Sequence, residues 1–145
     1  LKNAKRPVLI AGQGIERSNG KTSFQKLVEW LKIPVLTSWI AVDLLEYKSP
    51  YNFGKPGIVA PRYSNFAMQG ADLIFAIGTR LDSSMIGYDP DDFAPDAKKI
   101  IVDIDPAELD KFEFDIEVKV VADATVFIEA LQKTLMEKGV RPDGG

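Results

Sequence analysis

Cysteine and histidine are both absent from the 145 residues. Their absence excludes disulfides, thiolate nucleophiles, zinc centres of the usual kind and Ser-His triads. Any acid–base chemistry therefore falls to Asp, Glu, Lys or Tyr. Excess charge of one sign is missing too. The net charge is −3, and Lys98-Lys99 is the only adjacent lysine pair, far from the basic stripe of a nucleic-acid-binding domain. No apolar run approaches the roughly 20 residues that span a bilayer, and no signal peptide is visible. The expectation is a cytoplasmic setting with neither nucleic-acid nor membrane partners. Internal repeats and low-complexity tracts are also missing. The chain opens on Leu1 and closes on Arg141-Pro142-Asp143-Gly144-Gly145, which reads as a loop. The expected organisation is one domain over residues 1–145, cut from a longer protein. Apolar residues make up 46% and charged residues 27%, ordinary for a globular domain with a real core.

What is present is a set of apolar runs that end in glycine and polar residues. Gly70–Arg80 (GADLIFAIGTR) and Ile100–Pro106 (IIVDIDP) are the clearest. Such runs mark strands buried on both faces of a parallel sheet. Val8–Ala11, Val35–Thr37, Leu73–Ile77, Ile100–Ile104 and Val118–Val121 read as strands. Ser18-Asn19-Gly20 breaks the chain ahead of an apolar stripe at Phe24, Leu27, Val28 and Leu31, the spacing of an amphipathic helix that Pro34 ends. Residues 38–61 and 82–97 read as long loops, with a helix over Tyr63 to Gln69 between them. A helical turn starts at Pro106. A last helix carries Phe127, Ala130, Leu131, Thr134 and Leu135 on one face and stops at Gly139. This alternation predicts a mostly parallel sheet with helices on both faces.

Ligands of such sheets bind beyond the carboxyl ends of the strands, so the expected site holds Gly78, Thr79, Arg80, Asp103 and Asp105. Gly12-Gln13-Gly14 follows a strand, where glycines let backbone approach a phosphate. However, Arg17 stands where the dinucleotide fingerprint needs glycine, and Thr37-Ser38 where it needs an acid. A tight turn and a non-standard nucleotide site both remain open there. Arg80 is suited either to bidentate phosphate contact or to an ion pair with Asp82 or Asp103. Asp103 suits ribose hydroxyls, and Asp105 suits a helix cap at Pro106. The acids of Asp89–Asp96 read as a solvated loop, because Pro90, Phe93 and Pro95 break the spacing of a calcium loop. Trp39 and Tyr88 read as packing residues.

In order along the chain, RPVLIAGQG, KIPVLTSW, YNFGKPG, NFAMQGADLIFAIGTRLD, KKIIVDIDPAELDK and VVADATVFIEAL resemble the central domain of thiamine-diphosphate-dependent enzymes, and within them the acetolactate synthase-like branch. The resemblance runs from about Ala4 to Lys138. It implies a Rossmann-like three-layer α/β domain with a mostly parallel sheet of about six strands. It implies a three-domain parent, a homodimer or homotetramer, that decarboxylates a 2-oxo acid and joins the product to a second carbonyl compound. Thiamine diphosphate and Mg2+ would be held by the other domains. This domain would supply scaffold and, in some members, an FAD or ADP site.

Carried over by resemblance, Gly12 and Gly14 fall at a pyrophosphate loop. Ser38, Trp39 and Ile40, with Phe53, Gly54 and Gly57, fall on the flavin side. Gly78, Thr79, Arg80 and Asp82 fall at strand-end contacts, Asp103 and Ile104 at the ribose and adenine, and Ala122, Asp123 and Ala124 at the adenine end. No catalytic or metal-ligating residue is implied. The chain departs from the FAD-binding pattern at Gln13, Ser84 and Pro56. The alternatives are a structural module with an empty vestigial site and a stand-alone nucleotide-binding domain.

Overall fold

The computed structural model describes residues 3–140; the expected C-terminal loop at Arg141–Gly145 lies outside them. In chain order the elements are β1 (Pro7–Ala11), α1 (Gln13–Arg17), α2 (Lys21–Leu31), β2 (Val35–Thr37), α3 (Arg62–Gln69), β3 (Leu73–Ile77), α4 (Ser83–Ile86), β4 (Lys98–Asp103), α5 (Pro106–Asp110), β5 (Val118–Val121) and α6 (Ala124–Glu137). The strands form one parallel sheet in the order β2-β1-β3-β4-β5.

The sheet has five strands among the described residues, one fewer than the resemblance implies. The sixth position is occupied but degenerate. Residues 51–54 run beside β2 with one parallel bridge, Val35 to Asn52. Val35 N–H donates to Tyr51 O at 2.8 Å, Phe53 N–H to Val35 O at 2.9 Å and Thr37 N–H to Gly54 O at 2.9 Å. Pro50 and Pro56 flank the segment. The Asn52 side chain takes the Gly54 N–H at 3.0 Å, and Gly54 turns out of extended conformation at φ +79°. A ladder cannot propagate through that geometry. With residues 51–54 counted, the strand order is that of a Rossmann sheet, with its reversal between β1 and β3.

Alternation along the strands builds three layers. Val8, Ile10, Ile74, Ala76 and Ile101 bury one face with Met68, Met85 and Phe93. Leu9, Ala11, Phe75, Ile77 and Val102 bury the other with Phe24, Leu27, Val28 and Ile128 of α2 and α6. All five residues of β3 are buried, as expected of a central parallel strand. In α6 the buried positions are Ala124 and Ile128, with Phe127, Leu131 and Leu135 packed alongside. The expected places of Ala130 and Thr134 on that face are wrong: both are exposed, because the sheet meets a stripe one position away.

The loop expected over residues 82–97 contains α4 and a 3-10 turn at Pro90–Asp92, each started by an aspartate cap. Asp82 accepts from Ser84 N–H at 3.0 Å and Asp89 from Asp91 N–H at 3.1 Å. These short caps nucleate turns that apolar periodicity does not register. Asp89, Asp91, Asp92 and Asp96 are exposed, as a solvated loop requires. Tyr88 does not pack: it is 85% exposed.

Lys99 is the exception to the expected surface role of lysine. It lies on the buried side of β4, 5% exposed. Its ammonium donates to Ala94 O and Ala97 O, both at 3.1 Å, and sits 5.6 Å and 5.1 Å from the Phe93 and Phe114 ring centres. Carbonyls and aromatic faces replace part of its hydration. Burial lowers its pKa below 10.5, against the attraction of Asp115.

Candidate functional site

Because the strands are parallel, their carboxyl ends share one edge of the sheet. There the loops after β1 to β5 enclose a groove of about 630 Å³. With strands about 4.8 Å apart, five of them give the groove a length near 19 Å.

Backbone packing at the β1/β3 reversal forms the groove floor. Gly12 N–H donates to Ile77 O at 3.0 Å and Gly14 N–H to Gly78 O at 2.9 Å. A Cβ on Gly12 would sit on the Gly78 carbonyl and 2.5 Å from Thr79 Cα, and one on Gly14 would lie 2.8 Å from Gly78 Cα. These glycines let two loops touch. Their amides are spent on protein carbonyls rather than turned to a ligand. Gly78 answers with φ +59°, and Leu81, buried, is held at φ +48°, a left-handed conformation that a non-glycine residue adopts only under tertiary constraint.

Thirteen of the seventeen residues carried over by resemblance line the groove, among them Gly14, Ser38, Trp39, Gly78, Thr79, Arg80, Asp82, Asp103, Ile104, Ala122 and Asp123. Gly12 and Gly54 do not. Gly12 is buried beneath the floor, and Gly54 belongs to the degenerate edge strand, where a Cβ would be 2.9 Å from Ser64 Oγ. On the expected flavin side Ile40 also lines the groove, and at the expected adenine end so does Ala124. Gly57 sits behind Trp39, where a Cβ would lie 3.4 Å from the indole nitrogen. Phe53 instead packs on the core.

The Arg80 guanidinium pairs with neither Asp82 nor Asp103. Its Nε lies 3.1 Å from Glu108 Oε1, and its side chain is 77% exposed. Glu108 was not singled out from the sequence. Its signal is the Asp105-x-x-Glu108 spacing, which puts the acid one turn inside a capped helix at the sheet edge. Asp105 caps α5 through Ala107 N–H at 2.9 Å, as expected. Asp123 caps α6 through Thr125 N–H at 2.9 Å and Val126 N–H at 3.1 Å. Asp103 is 9% exposed and accepts Asp105 N–H at 2.9 Å. Trp39 is half-exposed rather than packed. Its Nε1–H donates to Pro56 O at 3.3 Å, and the Lys55 ammonium lies 4.4 Å from its ring centre.

Two further features were not legible in the chain. Two guanidinium groups, Arg17 and Arg80, share the groove wall with five carboxylates, Asp82, Asp103, Asp105, Glu108 and Asp123. Moreover, Gln13 Oε1, Glu16 Oε2 and Ser38 Oγ are buried without a hydrogen-bond partner. Buried polar atoms normally find partners, and two of these three residues line the groove. Among the described residues no cluster of acids could hold a metal ion. The groove wall thus presents carboxylates and two guanidiniums, while the glycine-loop amides are already bonded within the protein.

Fold and groove thus define a doubly wound α/β domain with its ligand edge at the strand carboxyl ends. The sequence profile of thiamine pyrophosphate enzyme central domains matches residues 1–131. The acetolactate synthase large subunit of Corynebacterium glutamicum is 37% identical over 131 residues, which are 90% of this chain and 21% of that protein. A probable acetolactate synthase large subunit of Methanococcus aeolicus is 33% identical over 135 residues, 93% of this chain and 22% of that protein. An acetolactate synthase of Mycobacterium bovis is 39% identical over 108 residues, 74% of this chain and 17% of that protein. The chain belongs to the family of thiamine pyrophosphate enzyme central domains, in its acetolactate synthase-like branch. It spans about a fifth of the length of the first two of these relatives.

Proposed function

We propose that this domain holds an adenine nucleotide, FAD or ADP, along the groove of an acetolactate synthase-like parent enzyme. The carrying observation is one continuous groove across all five strand ends, with Arg80 near its middle. A length near 19 Å suits a ligand laid out in extended form. The Asp103 carboxylate suits ribose hydroxyls. The unpartnered oxygens of Gln13 and Ser38, both in the groove lining, call for partners, which the hydroxyls of a polyol chain provide. Trp39 offers an aromatic face at the β2 end. The diphosphate depends on Arg80 and Arg17, because the glycine-loop amides are used internally.

In this reading the parent decarboxylates a 2-oxo acid and joins the product to a second 2-oxo acid or aldehyde. Thiamine diphosphate supplies the carbanion chemistry when bound with Mg2+ to other domains of the same chain. This domain contributes scaffold, interdomain contacts and the nucleotide. The assembly is a cytoplasmic homodimer or homotetramer.

The test is a calorimetric titration of the full-length protein, freed of bound nucleotide, with FAD and ADP. Binding is expected, and Arg80→Ala should weaken it by about 1.5–3 kcal/mol, the size of a hydrogen bond to a charged group. No heat with either nucleotide would sink the proposal. It would favour a purely structural module, a reading supported by the excess of carboxylates over guanidiniums in the groove wall.

A further inference from the structure

At the opposite edge of the sheet from the groove, we infer that a second site takes a small carboxylate with an apolar body. A cleft of about 500 Å³ opens there, between the carboxyl end of α3 and the amino ends of β1 and β2. Its apolar wall is made by Pro7, Val8, Ile33, Pro34, Phe53 and Phe66. The helix α3 buries Ser64 and Met68 and leaves Phe66, 73% exposed, to the cleft. An apolar concavity with a few placed polar groups is the usual form of a small-molecule site. The nucleotide groove lies at the other end of β1, about 13 Å away along the strand, so this inference does not rest on it.

The charged side chains of this cleft are all cations. Lys5, Arg6 and Lys32 line it and, among the described residues, no carboxylate does. In a chain of net charge −3 that is a local reversal of sign. None of the three forms an ion pair among the described residues. Asp72 touches this segment, but its oxygens take backbone amides, Lys5 N–H at 2.6 Å and Arg6 N–H at 2.9 Å. Arg6 Nε–H donates to Gly70 O at 2.7 Å. That bond orients the guanidinium, and among the described residues its terminal nitrogens have no partner. A guanidinium so held offers the planar fork that a carboxylate accepts. Lys32 ends α2 at φ +50°, a left-handed position where glycine or asparagine is usual. Free phosphate would leave the apolar wall wet, and a plain hydrocarbon would leave the fork unpaired. A carboxylate on an apolar body satisfies both.

The experiment titrates the full-length protein calorimetrically with octanoate, butanoate and octylamine. Octanoate should bind. Butanoate should bind at least ~20-fold more weakly, since each buried methylene contributes about fourfold. Octylamine should bind at least ~30-fold more weakly, because its ammonium meets three cations. Arg6→Gln should weaken octanoate at least ~10-fold by removing the fork. Ala67→Leu, which adds bulk to the half-buried α3 residue lining the cleft, should do the same by filling it. Thermal unfolding curves establish that both variants fold, and ADP titrations of them report on the groove separately. Absence of octanoate binding would overturn the inference, and is the result expected if other parts of the parent chain cover the cleft. Octylamine binding as tightly as octanoate would overturn it too, as would undiminished octanoate binding by a folded Arg6→Gln. Should Arg6→Gln fail to fold, the head-group comparison and Ala67→Leu decide.

Discussion

Gly12→Ala tests the most specific packing claim made by the fold. The added methyl would lie on the Gly78 carbonyl and 2.5 Å from Thr79 Cα, so the two loops must part by about an ångström to reach ordinary van der Waals separation. Both loops are pinned. Gly12 N–H to Ile77 O, Gly14 N–H to Gly78 O and Gly78 N–H to Val102 O are 2.9–3.0 Å bonds. The neighbours are two backbone atoms and Thr79 Cβ, whose position the backbone fixes, so no side-chain rotation relieves the clash. Losing two or three of those bonds, at about 1 kcal/mol each, gives a cost of about 2–4 kcal/mol, a large share of the 5–15 kcal/mol typical of a domain. In urea, with a slope of about 2 kcal/mol/M, the midpoint should fall by about 1–2 M. Gly139→Ala is the control. It has φ +72° with nothing within 4 Å of its Cβ position and should cost only about 1 kcal/mol through backbone strain. A Gly12→Ala midpoint within 0.3 M (about 0.6 kcal/mol) of wild type, or a shift no larger than that of Gly139→Ala, would refute the packing argument.

Arg80→Ala should change stability by no more than about 0.5 kcal/mol, because its ion pair is exposed, while it weakens nucleotide binding; denaturation and calorimetry on one preparation separate the two effects. Asp123→Ala removes the acceptor of two α6 amides and should cost about 1–2 kcal/mol in urea unfolding. Lys99 has a folded pKa below its unfolded value of 10.5, so the unfolded chain binds more protons between the two. Stability should therefore rise with pH as the folded pKa is passed and level off above 10.5. Lys99→Met should abolish that rise while costing about 1–3 kcal/mol at neutral pH, because the Ala94 and Ala97 carbonyls lose their donor; urea midpoints across the alkaline range read both effects.

Where sequence reading succeeded, the signal was local and repeated. β3 is buried along its length, and five apolar residues in a row can be little else. Asp105 caps the helix that follows it because a short acceptor at a chain turn needs only its own next residues. Arg80 shows the opposite case. Its position at the sheet edge was legible, but its partner Glu108 lies 28 residues on and reaches it through the packing of α5 on β4. Nothing in the Lys98-Lys99 pair announces that Lys99 is buried, because only the folded chain brings Ala94, Ala97, Phe93 and Phe114 around it.

The sequence by itself determined the alternation of strand and helix, the parallel sheet and the edge where a ligand groove would lie. Those follow from periodicity, glycine and proline, which act over a few residues. Tertiary structure alone decided that residues 51–54 lie beside β2 in the sixth-strand position. It decided that Gly12 and Gly14 serve loop contact rather than an open amide nest. It also decided that carboxylates outnumber guanidiniums around the groove. Each of these depends on distances between segments far apart in the chain, and close packing at the β1/β3 reversal leaves no freedom to satisfy them locally.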